Sequence, residues 1–73
     1  MAEVKMTTVK KLGVIKQNEK SAIELRVTDV NGVEKYDIRP WYEKDGKEQC
    51  GKGIRLSEEE MDTLIDIING LDA

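Results

Sequence analysis

The chain has nothing with which to staple itself. In 73 residues there is one cysteine, Cys50, and no histidine. A single thiol makes no intrachain disulfide, and without further ligands it builds no zinc site. A core of this size rarely supplies more than about 3–5 kcal/mol unaided, since so short a chain buries only about 60% of its unfolded surface. The sequence therefore points to one domain over residues 1–73, with residues 1–3 flexible, supported by association with a second copy.

The same absence limits the chemistry. Without imidazole there is no Ser-His or Cys-His nucleophile pair and no histidine base. No other acid–base constellation is visible, so the expectation is a protein that is not an enzyme, with no cofactor, no metal and no small-molecule substrate. No apolar run approaches the roughly 20 residues that cross a bilayer. The opening Met1–Lys5 lacks the apolar stretch of a signal peptide. A soluble, cytoplasmic protein without a membrane partner is expected.

Strands come first and one helix last. From Val4 to Lys16 the apolar residues begin in alternation and then slip by one, which predicts a strand with a bulge or bend near Lys10–Gly13. Gln17–Lys20 is a polar turn. Ile23, Leu25 and Val27 alternate with Glu24, Arg26 and Thr28, the pattern of a half-buried strand. Asn31-Gly32 is the strongest short hairpin signal. The third strand runs from about Val33 to Trp41, with Tyr36 and Ile38 on one face and Lys35, Asp37, Arg39 and Trp41 on the other. Pro40 cannot donate a ladder bond, which predicts an edge or a bulge there. Glu43–Lys47 is a second turn. Cys50–Leu56 reads as a fourth strand, its Gly51 and Gly53 marking either a bulge or tight bend or a close backbone approach by a ligand or another chain. Ser57 and Glu60 then form a capping box. Met61, Leu64, Ile65, Ile68 and Leu71 recur at helical spacing, and Gly70 is the stop. Four strands followed by a helix define an α+β class with an antiparallel sheet. The helix is apolar enough to serve as a dimer interface through Met61, Leu64, Ile65 and Ile68.

Charge is divided along the chain. Residues 1–56 hold all 12 Lys and Arg against nine acids, whereas residues 57–73 hold six acids and no base, so the net of −3 hides a basic front and an acidic end. Either the terminal helix simply has solvated acidic faces, or an acidic element is turned away from a basic surface. Cys50 beside Lys52 has the setting of a reactive thiol, but a buried or indifferent one is the better expectation.

Tyr36-Asp37-Ile38-Arg39-Pro40-Trp41-Tyr42, a charged turn, then Gly51-Lys52-Gly53-Ile54-Arg55-Leu56-Ser57 carry a resemblance. In this order, before a capped helix, they resemble the transcriptional positive-cofactor-four family of single-stranded-DNA-binding coactivators, and most of all its small bacterial YdbC-type members. The resemblance implies a homodimer of curved four-stranded antiparallel sheets, with helices at the interface and single strands held in channels on the sheets. It places Arg39 as the strand arginine, Lys52 as the lysine before Gly-Ile, and Trp41 or Tyr42 as the stacking aromatic. Family spacing favours Tyr42; strict alternation from Arg39 favours Trp41, which is preferred. The loop Val30–Val33 lacks the aromatic and lysines of eukaryotic members, and their long regulatory tail is absent.

The residues alone point to the same surface. Arg26, Lys35, Arg39 and Trp41 fall on polar faces of neighbouring strands. Cations that track phosphates and a ring on which bases stack are what single-strand binding needs, at about 1–3 kcal/mol per stacked base. The bland alternative is a set of solvated charges, with Trp41 covering a sheet edge or dimer seam. The candidate nucleic-acid contacts are thus Arg26, Lys35, Arg39, Trp41, Tyr42, Lys52 and Arg55. The expected partner is single-stranded DNA or, alternatively, RNA, in transcription regulation or other DNA transactions, with nucleoid association possible. A protein-interaction dimer of the same fold with little DNA affinity is the competing function.

Overall fold

The computed structural model describes residues 5–72, so the expected flexibility of residues 1–3 lies outside the described residues. Five strands are followed by a helix: β1 (Met6–Gln17), β2 (Ala22–Val30), β3 (Val33–Lys44), β4 (Lys47–Cys50), β5 (Ile54–Leu56) and α1 (Glu58–Asn69), with a 3-10 turn at Gly70–Asp72. All pairings are antiparallel. The sheet runs β1-β2-β3-β4, and β5 also pairs with β3. The α+β architecture expected from the sequence is the one observed.

Two hairpins set the register. Asn31 and Gly32 both have positive φ (54° and 84°), as do Asp45 and Gly46 (54° and 74°). Positive φ at both central residues is the two-residue turn whose twist matches that of its strands. The second turn is therefore narrower than Glu43–Lys47: Lys44 already pairs with Lys47, and β3 runs on past Trp41. β1 carries three register breaks, at Thr8/Lys10, Lys11/Gly13 and Val14/Lys16, where a single one near Lys10–Gly13 was expected. Val9, Leu12 and Ile15 are the supernumerary residues, and bulges at this spacing bend and twist the strand.

The expected fourth strand is broken in two, and Pro40 explains the break. β3 lies inside the sheet, with β2 pairing without interruption from Ala22↔Trp41 to Val30↔Val33, so Pro40 is neither at an edge nor bulged. Its carbonyl accepts from Gly51 N at 3.0 Å on the side away from β2. The donor that proline lacks would point to the same side, so no continuous strand can be satisfied there. The chain leaves the ladder after Cys50 and rejoins it at Ile54. Gly51 and Gly53 permit the crossing: a Cβ on Gly51 would lie 2.9 Å from Pro40 Cγ, and one on Gly53 would overlap the Ile38 carbonyl oxygen and Arg39 Cβ. The close approach at these glycines is to the chain's own β3, where a ligand or another chain was expected.

Residues paired across an antiparallel ladder share a face. Ala22, Glu24, Arg26 and Thr28 of β2 lie with Lys35, Asp37, Arg39 and Trp41 of β3, and with Glu48, Cys50 and Arg55. Ile23, Leu25, Val27, Tyr36, Ile38, Pro40, Tyr42, Ile54 and Leu56 form the other face. The best-buried side chains are on the polar face: Arg26, Thr28 and Asp37 have no exposure at all. The apolar face is only half-buried within one chain.

α1 contacts β3 and β5. Its capping box is complete, with Glu60 N donating to Ser57 Oγ at 3.2 Å and Ser57 N to Glu60 Oε1 at 2.8 Å. Such a cap is worth about 0.5–2 kcal/mol. Gly70 ends the helix in a right-handed conformation (φ −76°), and the chain tightens into the 3-10 turn.

Candidate nucleic-acid interface

Arg26 is the centre of the polar face, and all three of its guanidinium nitrogens are engaged. Nη1 and Nη2 take the two oxygens of Glu48 at 2.9 and 3.0 Å. Glu24 Oε1 lies 2.9 Å from both Nε and Nη2. Nη1 also donates to Thr8 Oγ1 at 2.9 Å, and Cζ sits 3.7 Å from the centroid of the Trp41 ring. A forked pair with a carboxylate and a desolvated ring are the two strongest settings for a guanidinium. The Glu48 bond raises the Arg26 pKa most; burial opposes it and Glu24 adds to it. Reciprocally, Glu48 is held below the usual carboxylate range, first by Arg26 and also by Lys11, whose Nζ lies 3.8 Å away.

The exposed aromatic expected at Trp41 is not there. Its ring is 8% exposed, covered by the Arg26 guanidinium, and its indole N–H has no acceptor among the described residues. The unbroken β2–β3 register places Trp41 on the face of Arg39, as strict alternation requires, and Tyr42 on the apolar face, where it is exposed.

A second cluster is built on Asp37. Arg39 Nε donates to Asp37 Oδ1 and Arg39 Nη1 approaches Cys50 Sγ at 3.9 Å. Burial works against the Arg39 charge, yet the bonds to Asp37 and Cys50 outweigh it and its pKa ends above the ordinary value. Thr28 Oγ1 donates to Asp37 Oδ2 at 3.3 Å, and Arg55 Nε lies 3.9 Å from that oxygen. Arg55 Nη2 donates to the carbonyls of Thr28 and Val33, tying β5 to the root of the first hairpin.

Arg26, Lys35, Arg39, Trp41 and Arg55 are therefore brought to one face, with Lys35 half-buried, while the exposed Lys52 sits on the Gly51–Gly53 crossing over β3. Of the helix residues, Met61 is buried by its own chain, Leu64 is half-buried, and Ile65 and Ile68 stand about half exposed. The partners Thr8, Glu24 and Glu48 went unread. Glu24 is two residues from Arg26 on one strand face, a signal present in the sequence. Glu48 meets Arg26 only through two hairpins.

The structure is a bent antiparallel sheet with a guanidinium-rich polar face and a capped helix. Residues 17–67 match the family described as Transcriptional Coactivator p15 (PC4), and the chain belongs to this family, which is known for single-stranded DNA binding, coactivator roles and no enzymatic activity. No curated protein matches the chain as a relative.

Proposed function

We propose that the chain binds single-stranded DNA without marked sequence preference, as a homodimer, on its polar sheet face. The observation that carries this is the family match over residues 17–67, whose span contains Arg26, Lys35, Arg39, Trp41, Lys52 and Arg55. Cations hold the phosphates; of the two candidate stacking rings, Trp41 lies on this face beneath the Arg26 guanidinium and Tyr42 is exposed on the opposite face. On the resemblance of Tyr36–Tyr42 and Gly51–Ser57 we take it as a bacterial YdbC-type member acting in the cytoplasm, in transcription regulation or other DNA transactions. Half-exposed Ile65 and Ile68 on the helix supply the surface for the second copy.

The test is a fluorescence titration with a thymine homopolymer of about 20 nucleotides, long enough for one or two single-strand sites. Trp41 is the only tryptophan, so the signal reports one place. Saturable quenching that weakens with salt, as counterion release demands, and that exceeds the response to duplex supports the proposal. Stronger quenching by the uridine homopolymer would assign the site to RNA. No binding even at low salt would overturn it. That result would favour a protein-interaction dimer, a reading supported by how fully Glu24, Asp37 and Glu48 engage the arginines of this face.

A further inference from the structure

We propose that Glu48 is a built-in stand-in for a strand phosphate: it occupies Arg26 and Lys11 in the free protein, and the bound strand displaces it. The inference rests on the single-strand-binding proposal and adds a residue that sets the affinity of that site. Both Glu48 oxygens are spent on Arg26, in the forked geometry that a phosphate also offers a guanidinium. Lys11 adds a second cation at 3.8 Å, so one carboxylate masks two positive charges.

The mask is on the outside. The Arg26 side chain has no exposure, whereas the Glu48 side chain is 50% exposed. Glu48 belongs to β4, a four-residue strand at the sheet end following a two-residue turn. Its carboxylate can swing into solvent without moving backbone. Glu24 cannot do the same, since its side chain is only 14% exposed. It remains on the Nε side and keeps Arg26 posed over Trp41 after Glu48 leaves. The exchange thus uncovers the Nη1/Nη2 end of a guanidinium that is already ordered. The indole N–H of Trp41, buried without an acceptor among the described residues, is a further donor.

The experiment titrates wild type, E48Q and the double variant K11Q/E48Q with the thymine homopolymer at several salt concentrations. Glutamine keeps the size of the side chain but lacks the charge. E48Q is expected to bind the strand about three- to tenfold more tightly at low salt, and its salt dependence to steepen. Each phosphate newly neutralised changes the slope of log K against log salt by about −0.7 for a single strand, so two freed cations add about −1.4. K11Q/E48Q should lose roughly half of that increment. Unchanged or weaker binding by a folded E48Q, with wild type binding, would overturn the role of Glu48 and leave the function intact. Binding by E48Q alone would mark the mask as dominant. If neither binds at low salt, the single-strand proposal itself fails and the mask with it. Far-UV circular dichroism and a urea midpoint establish that E48Q is folded. Should it not fold, E48D tests the same point, because withdrawing the carboxylate by one methylene lengthens the contact and should tighten strand binding by a smaller factor.

Discussion

Gly53→Ala isolates the consequence of interrupting a sheet beside a proline. A Cβ at position 53 would overlap the carbonyl oxygen of Ile38 and the Cβ of Arg39, and would lie 2.9 Å from the Arg39 Cα. These are atoms of a central strand, held on its other side by β2, and none is the free end of a flexible chain. β5 must therefore lift from β3, loosening the pairs Tyr36↔Leu56, Asp37↔Arg55 and Ile38↔Ile54. Forcing extra volume into a packed site costs about 1–3 kcal/mol, and each ladder bond lost adds about 0.5–1.5 kcal/mol. We expect a total near 2–4 kcal/mol, comparable with everything one core of this size supplies. At about 4–8 °C per kcal/mol for a domain of this length, the midpoint should fall by at least about 8 °C. Thermal melts followed by far-UV circular dichroism, at one protein concentration because association shifts the midpoint, give the answer. Gly13→Ala is the internal control. It lies in β1 with nothing within 4 Å of its added Cβ and without positive φ, so it should be neutral or raise stability by about 0.4–1 kcal/mol. A G53A midpoint within about 2 °C of that of G13A would refute the close approach and the account of the break that depends on it.

Two further outcomes follow from the structure. Glu48 and Glu60 are both held below their ordinary pKa, the first by Arg26 and the second by the Ser57 backbone N–H. A carboxylate depressed on folding stabilises the fold at neutral pH, and that contribution fades as pH falls through the folded value. The urea midpoint should hold steady near neutrality and decline below about pH 4.5, less steeply in E48Q; a midpoint that rises on acidification would contradict both pairings. Ile65→Glu with Ile68→Glu places charge on the half-exposed stripe of α1, and sedimentation equilibrium should then report monomer where wild type reports dimer, with helix content retained.

What the sequence made legible was local. Alternation in Ile23–Thr28, the Asn31-Gly32 turn and the Ser57–Glu60 box each involve neighbours within four residues, and each is realised in the fold. The face of Trp41 was legible for the same reason. What failed needed a partner from elsewhere. Gly51 and Gly53 within Cys50–Leu56 allow a bend, but that the segment must break is not written there, because the missing donor belongs to Pro40 on another strand. Val9, Leu12 and Ile15 showed a slip in phase, but the number of bulges depends on pairing with β2. In the sequence Arg26 reads as an accessible cation for a phosphate or, alternatively, a solvated charge, because arginines are mostly exposed. Its burial is decided by Glu48, 22 residues away across two hairpins.

The retention of that burial is itself informative. Replacing a buried ion pair with packed apolar side chains is often neutral or stabilising, by about 1–4 kcal/mol, whereas removing one partner is costly. This chain, with so small a core, keeps Arg26 without exposure among two carboxylates and a tryptophan ring. The proposed strand binding gives the arrangement a role that stability alone does not require. A free arginine loses about 1.5–2 kcal/mol of rotamer entropy when a ligand fixes it, a cost that weakens association. Here Glu24, Thr8 and Trp41 fix the guanidinium during folding. Glu48 then closes its one outward end. In the proposed binding the carboxylates play opposed parts: one orders the cation for a phosphate, the other competes with the phosphate for it. Neutralising Glu48 removes the competition while Glu24 preserves the order, which is why E48Q, of all charge changes on this face, should strengthen binding.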